Sequence, residues 1–266
     1  MRRLIQRSSV RQSEGAFVAE GLKVVQAALD AGAPVNTIFI AAEGATNPAV
    51  TELADEAFKR GARVFDLGPG VMERVADTVT PQPVCAIVGI DDLTLDALLA
   101  TDGPAAGGRL LLACVEVRDP GNLGAVLRTA SASGTSGVVV CAGCVDPYNP
   151  KTVRASAGAI FNLPLVRGGE PGEVLRVLGG AGFELVGTTA GGGTDYLEMD
   201  LEGDVVLVLG NEASGLPDEV SAMLDRRLTI PMAEGTESLN VAMAAAVLCF
   251  EVARRRRQTG PPASAA

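Results

Sequence analysis

The stretch Leu110-Leu-Leu-Ala-Cys114-Val-Glu-Val117-Arg-Asp-Pro-Gly-Asn122-Leu-Gly-Ala-Val-Leu-Arg128-Thr-Ala130 reads as a strand, a loop and a helix in succession. The apolar run from Leu110 to Val117 predicts a buried strand. Asp119-Pro-Gly is turn chemistry, and Asn122 is suited to open the helix that follows, with Arg128 about two turns in. By itself Arg128 is equally well read as a surface residue paired with a carboxylate.

The same alternation extends in both directions. Toward the C-terminus, strands are predicted at Gly137 to Cys141, Glu184 to Thr188, Val205 to Leu209 and Arg227 to Ile230, separated by helix-length segments. Strand and helix in alternation predict an α/β fold, a mostly parallel sheet with helices on both faces. Toward the N-terminus, a helix over Gly21 to Asp30, a strand at Val35 to Ala41, a helix over Val50 to Lys59, a strand at Arg63 to Leu67, a short helix over Val71 to Ala76 and a strand at Val84 to Ile90 predict a smaller α/β domain. Residues 101–108 combine Gly, Pro and small residues without apolar periodicity and predict a linker between domains at 1–100 and 109–266.

The 266 residues include 32 glycines, are 47% hydrophobic and 20% charged, and hold no run of the length a membrane helix needs, so the protein is expected in the cytoplasm. There is no histidine, which removes Ser-His-Asp, Cys-His and His-ligated metal chemistry together. Five cysteines lie mostly in apolar runs; Cys141-Ala-Gly-Cys144 has redox or zinc spacing but no second pair, so neither a disulfide framework nor a metal is expected. The net charge of −10 argues against a nucleic-acid partner. The distribution qualifies this, because Arg2, Arg3, Arg7 and Arg11 precede the first acidic residue, Glu14, and Arg254 to Arg257 form a second basic cluster. Solvated tails explain each cluster equally well alone.

In open parallel sheets ligands gather at the carboxyl ends of strands, where backbone amides converge. Three such loops carry unusual polar residues. The first contains Asn122 and Arg128. The second, Val206-Leu-Val-Leu-Gly210-Asn-Glu-Ala-Ser-Gly215-Leu-Pro217, has glycines five apart, yet lacks the lysine and hydroxyl of a phosphate-binding loop and carries Glu212 instead. The third, Ile230-Pro-Met232 through Glu237-Ser238-Leu239-Asn240, places Ser238 as a candidate helix N-cap and Asn240 in a first helical turn before an alanine-rich run. A loop with a capped helix is the plain alternative for the third.

In order and spacing, Asn122 to Arg128, Leu207 to Leu216, and Ile230-Pro-Met with Glu237 to Asn240 resemble the three motifs of the SpoU/TrmH family of RNA ribose methyltransferases. Arg11 to Leu22 and Thr80 to Ile87 more weakly resemble the substrate-binding domain, related to ribosomal RNA-binding proteins, that precedes the catalytic domain in many members. Thiostrepton-resistance methyltransferases share this layout.

The resemblance implies a deep trefoil knot in the C-terminal domain, which generic fold rules would exclude. It implies methyl transfer from S-adenosylmethionine to a ribose 2′-hydroxyl, with ribosomal RNA favoured, transfer RNA as the alternative, and a non-catalytic RNA-binding paralogue as the rival class. It implies that Thr188, Thr189, Gly210, Ile230, Met232 and Leu239 contact the cofactor, and that Arg128, Asn122, Glu212, Ser238 and Asn240 form the catalytic set. Since guanidinium is a poor base, Arg128 is expected to bind an RNA phosphate and orient the hydroxyl. Arg7, Arg11 and Arg154 are expected to meet RNA, a salt bridge being the alternative for Arg154, and a homodimer is expected to complete the site across its interface.

Overall fold

The computed structural model describes residues 1–76, 78, 80–101, 107–235 and 238–259. The chain forms two compact units, Met1–Asp91 with Asp146–Asn162, and Asp92–Val145 with Leu163–Ala266. Most of the expected linker, 102–106, lies outside the described residues.

The first unit runs α1 (Arg2–Gln6), α2 (Ser8–Glu14), β1 (Ala16–Glu20), α3 (Leu22–Asp30), β2 (Val35–Ile40), α4 (Pro48–Lys59), β3 (Arg63–Asp66), α5 (Val71–Val75) and β4 (Val84–Gly89). Its sheet has the order β1-β4-β2-β3, with β4 antiparallel to both neighbours and β2 parallel to β3. Helix α3 forms because Val24, Val25, Ala28 and Leu29 recur at helical spacing and are all buried. Strand β1 is buried at all five positions, Glu20 included. That carboxylate accepts from Arg154, from the Thr78 hydroxyl and from the Gln82 N–H, which offsets its desolvation.

The second unit contains α6 (Leu95–Leu99), β5 (Leu110–Cys114), α7 (Pro120–Ser133) and β6 (Gly137–Val140). The chain then enters the first unit for α8 (Pro150–Ala155), where Phe17 packs on Tyr148 and Phe161 with ring centroids 4.7 and 5.9 Å apart. It returns as β7 (Leu165–Arg167), α9 (Pro171–Gly180), β8 (Glu184–Thr188), β9 (Thr194–Asp195), β10 (Val205–Leu209), α10 (Asp218–Ser221), β11 (Arg226–Thr229) and α11 (Val241–Thr259).

Every pairing in the second sheet, β7-β6-β5-β10-β8-β11-β9, is parallel. The central strands β5 and β10 are buried throughout, as expected of a parallel sheet covered on both faces. Leu111, Ala113, Val139, Val206 and Val208 share one core with Leu175, Leu178 and Phe183. Strand β5 ends at Cys114 rather than at the expected Val117, because Glu116 adopts φ 54°, a left-handed conformation that a strand cannot continue through. Strand order reverses between β5 and β10, so the loops after β5, β8, β10 and β11 gather at one edge. Among the described residues no helix is long and apolar enough to cross a membrane.

Candidate functional site

The three motif loops meet through side-chain amides. The N-cap of α7 is Asp119, whose carboxylate accepts from the Asn122 N–H at 2.8 Å, and not Asn122 as the sequence predicted. Freed from capping, the Asn122 side chain reaches out of the first turn and its Nδ2 donates to Glu212 Oε1. The expected cap of α11 also shifts, from Ser238 to Asn240, because the helix starts at Val241; Asn240 Oδ1 accepts from the Ala242 N–H at 2.9 Å. Asn240 Nδ2 then donates to Asn122 Oδ1 at 2.8 Å.

Each amide orientation in this chain is fixed by the next bond. The cap requires oxygen at Asn240 Oδ1, which leaves Nδ2 to donate, which makes the Asn122 atom facing it an oxygen, and its nitrogen meets the Glu212 carboxylate. Asn122, Glu212 and Asn240 thus form one continuous polar relay across the first, second and third loops.

Asn211 organises the second loop. Its N–H and carbonyl exchange bonds with Gly215 at 3.0 and 2.9 Å, closing the loop on itself. Its Oδ1 accepts from the Ala213 and Ser214 N–H groups, an Asx turn, and its Nδ2 donates to the carbonyl of Glu116 at 3.2 Å. Gly210 is required by close approach, since a Cβ there would lie 2.7 Å from the Gly215 carbonyl carbon and oxygen. Sequence reasoning omitted Asn211 and Asp119 from the site, although an Asn or Asp two or three residues before a small-residue turn was the available signal.

Beside this loop lies a cavity of about 920 Å³. All six residues expected to hold a cofactor, Thr188, Thr189, Gly210, Ile230, Met232 and Leu239, line it, together with Glu212 and Ser238. Asp218, Ser221 and Arg227 also line it and were not anticipated. Glu237 lies outside the described residues.

Arg128 stands apart. It is exposed on α7, is not among the cavity-lining residues, and makes no hydrogen bond or ion pair among the described residues. It follows Asn122 by six residues, which on a helix separates the two by about 120° around the axis and roughly 9 Å along it. The structure therefore joins Asn122, Glu212 and Asn240, with Glu212 also lining the cavity, and does not bring Arg128 to them.

The remaining arginines divide. Arg7 is exposed. Arg11 is 3% exposed, pairs with Asp146 at 2.7 Å and donates to the carbonyls of Leu4 and Ile5, so its predicted role toward RNA is corrected to a structural one. Arg154 is held by Glu20 at 3.0 Å, the salt-bridge alternative. The C-terminal cluster also turns inward: Arg254 and Arg255 pair with Glu251, Arg255 donates to the carbonyls of Met199 and Leu197, and Arg256 donates to those of Gly108 and Gly203. The arginines hold Glu251 down to a pKa of about 2.

No thiol is set up as a nucleophile. Burial pushes Cys141 and Cys249 up to about 12 and Cys144 upward, and all five cysteines are free. No cluster of three potential metal ligands occurs among the described residues.

Residues 109–250 match the model of the SpoU rRNA methylase family, and residues 1–86 match an MRM3-like substrate-binding domain. The chain is 31% identical to the 23S rRNA (uridine(2479)-2′-O)-methyltransferase of Streptomyces viridochromogenes over 92% of this chain and 85% of that one. It is 31% identical to the 23S rRNA (guanosine(2553)-2′-O)-methyltransferase RlmP of Bacillus subtilis over 91% and 90%. The crystal structure of the SpoU methyltransferase AviRb from Streptomyces viridochromogenes, in complex with AdoMet, superposes with a TM-score of 0.82 at 29% identity, covering 96% of both chains.

Proposed function

The chain belongs to the SpoU rRNA methylase family, and from that premise we propose that it transfers a methyl group from S-adenosylmethionine to a ribose 2′-hydroxyl of 23S ribosomal RNA. The observation that carries this reading is the polar relay from Glu212 through Asn122 to Asn240, which ties all three motifs together and meets, at Glu212, a cavity lined by residues of the second and third motifs.

The cavity fits the cofactor. Its volume lies in the range of small-molecule sites, about 300–1,000 Å³. Its lining suits a ligand that carries a cation, a carboxylate and a ribose, because it offers Glu212 and Asp218, Arg227, the hydroxyls of Thr188 and Ser238, and the main chain around Gly210. When bound, S-adenosylmethionine supplies an electrophilic sulfonium methyl. Gly210, Ile230, Met232, Leu239, Thr188 and Thr189 hold it. Asn122, Glu212, Ser238 and Asn240 fix the geometry at the junction of the loops, which is the main contribution available to a site without histidine or metal ligands. Arg128 grips the phosphate next to the target ribose and orients the 2′-hydroxyl.

Arg128 reaches a cofactor site in a homodimer, where it serves the cavity of the partner subunit. Two observations support this: Arg128 is exposed and does not line the cavity of its own chain, and α11, which packs on α7, exposes Met243 at 61% and Phe250 at 46%, seven residues apart on one face. The first unit binds the RNA, the C-terminal strands and α11 follow the trefoil-knotted path of the family, and the protein works in the cytoplasm. The test is transfer of a labelled methyl group from the cofactor to 23S and transfer RNA. Label in 23S RNA at a ribose oxygen is expected; label in transfer RNA alone moves the substrate, and no label in any RNA leaves the non-catalytic reading.

A further inference from the structure

One face of the first unit's sheet carries a row that the methyltransferase reading does not use. Register places Glu20, Cys85, Phe39 and Phe65 side by side across β1, β4, β2 and β3, and the next row on the same face is Val18, Ile87, Thr37 and Arg63. Helix α1 covers the inner end of this face: Met1 Sδ lies 3.2 Å from Cys85 Sγ, and Met1 and Ile5 pack with Phe39 and Ile87 on one apolar cluster. The cover stops short of the outer strand. Phe65 remains 47% exposed, its ring stacked on Phe39 at 5.8 Å with 21° between the planes.

The exposed charge on the ring's own face of β3 is basic, and α1 carries further exposed arginines. Arg2, Arg3 and Arg7, on α1 and its end, are exposed without an acidic neighbour in the helix, and exposed Arg63 lies two residues from Phe65 on the same face, its one hydrogen bond among the described residues going to Thr37 Oγ1 at 3.4 Å. Asp66 alternates onto the opposite face, and α5 carries one charge of each sign, Glu73 and Arg74. Two strand spacings, about 10 Å, separate Cys85, which Met1 contacts, from Phe65 on the same face.

We propose that this face is a docking surface for an unpaired segment of the RNA substrate, one base stacking on Phe65 and the adjoining phosphates meeting Arg63 and the arginines of α1. This rests on the reading of the protein as an RNA methyltransferase. An exposed aromatic ring beside flexible cations is the arrangement that binds single-stranded nucleic acid without a sequence code. A net charge of −10 makes such a local basic surface the more necessary.

The test measures binding of a 23S rRNA transcript by the full chain over a range of salt, alongside methyl transfer. Phe65→Ala is expected to weaken binding about tenfold, Phe65→Trp to retain it, and neither to alter the salt slope. Arg63→Ala should lower the logarithmic salt slope by about one, whereas Lys59→Ala, on α4 outside this cluster, should leave binding unchanged. Equal binding by wild type, Phe65→Ala and Arg63→Ala overturns this face whether or not methyl is transferred. A change of oligomeric state in Phe65→Ala without RNA overturns it too, by assigning the ring to a protein contact. Phe65-dependent binding without methyl transfer keeps the docking surface and removes the catalytic reading.

Discussion

Arg128 is exposed with no hydrogen bond or ion pair among the described residues, whereas Arg11 is buried against Asp146 and two carbonyl oxygens, so the same residue type separates function from stability. Arg128→Ala should change unfolding free energy by less than about 0.5 kcal/mol, as surface substitutions do, while methyl transfer to RNA falls by on the order of a hundredfold or more. Arg11→Ala strands Asp146 and should cost about 3–5 kcal/mol in urea unfolding. If Arg128→Ala unfolds at markedly lower urea, or keeps its activity, the assignment of this arginine to RNA is wrong. Gly210 makes a related point for the main chain. A methyl group there meets the carbonyl of Gly215, so Gly210→Ala should keep the fold yet raise the cofactor dissociation constant about tenfold or more, read by calorimetry. Unchanged affinity would show that the second loop can move aside.

At the scale of elements, α11 depends on how its charged turn is fastened. Glu251 holds Arg254 and Arg255, and Arg255 and Arg256 in turn donate to carbonyls of the loops at 197–203 and 108. The Glu251 pKa falls from 4.5 to about 2 on folding, so its stabilisation is complete above 4.5 and disappears as pH drops through about 2. Glu251→Gln should therefore lose roughly 1–2 kcal/mol at pH 7 after allowance for solvent screening, with the deficit vanishing near pH 2 in parallel unfolding titrations. A constant difference across that range would mean the ion pairs carry no net stability. The elements themselves were legible to different degrees. Buried parallel strands such as β5 and β10 are continuous apolar runs, and their positions follow from sequence within a few residues. Strands β7 and β9, three and two residues long, give periodicity nothing to act on, and β1 hides behind Glu20, whose burial depends on Arg154 far along the chain. Caps were misassigned by two or three residues because Asp119 and Asn122, like Ser238 and Asn240, are all competent caps; only where the helix starts decides which side chain is left for the site.

The whole molecule makes its sharpest demand at Arg128. Sequence order joins Arg128 to Asn122 in one motif, yet helical geometry turns them about 120° apart, and a single chain leaves the arginine outside the cavity. The proposed homodimer would supply the missing geometry from a second copy. In a twofold dimer the same surface meets itself, and on the proposed reading each subunit would lend Arg128 to the cavity of the other. Two variants test the exchange without a structure of the dimer. Arg128→Ala keeps an intact cavity and lacks the arginine; Gly210→Ala has the arginine and a damaged cavity. Assayed with cofactor well below the dissociation constant of the Gly210→Ala cavity, each alone should be nearly inactive. After mixing and subunit exchange, half of the dimers pair one of each, and in these a single site combines an intact cavity with an intact arginine, giving about a quarter of wild-type methyl transfer. If Arg128 served its own cavity, both sites of the mixed dimer would carry a defect and mixing would restore nothing. Phe250→Asp supplies the control: with a charge on the exposed face of α11 the protein should sediment as a monomer, and its mixtures should show no recovery.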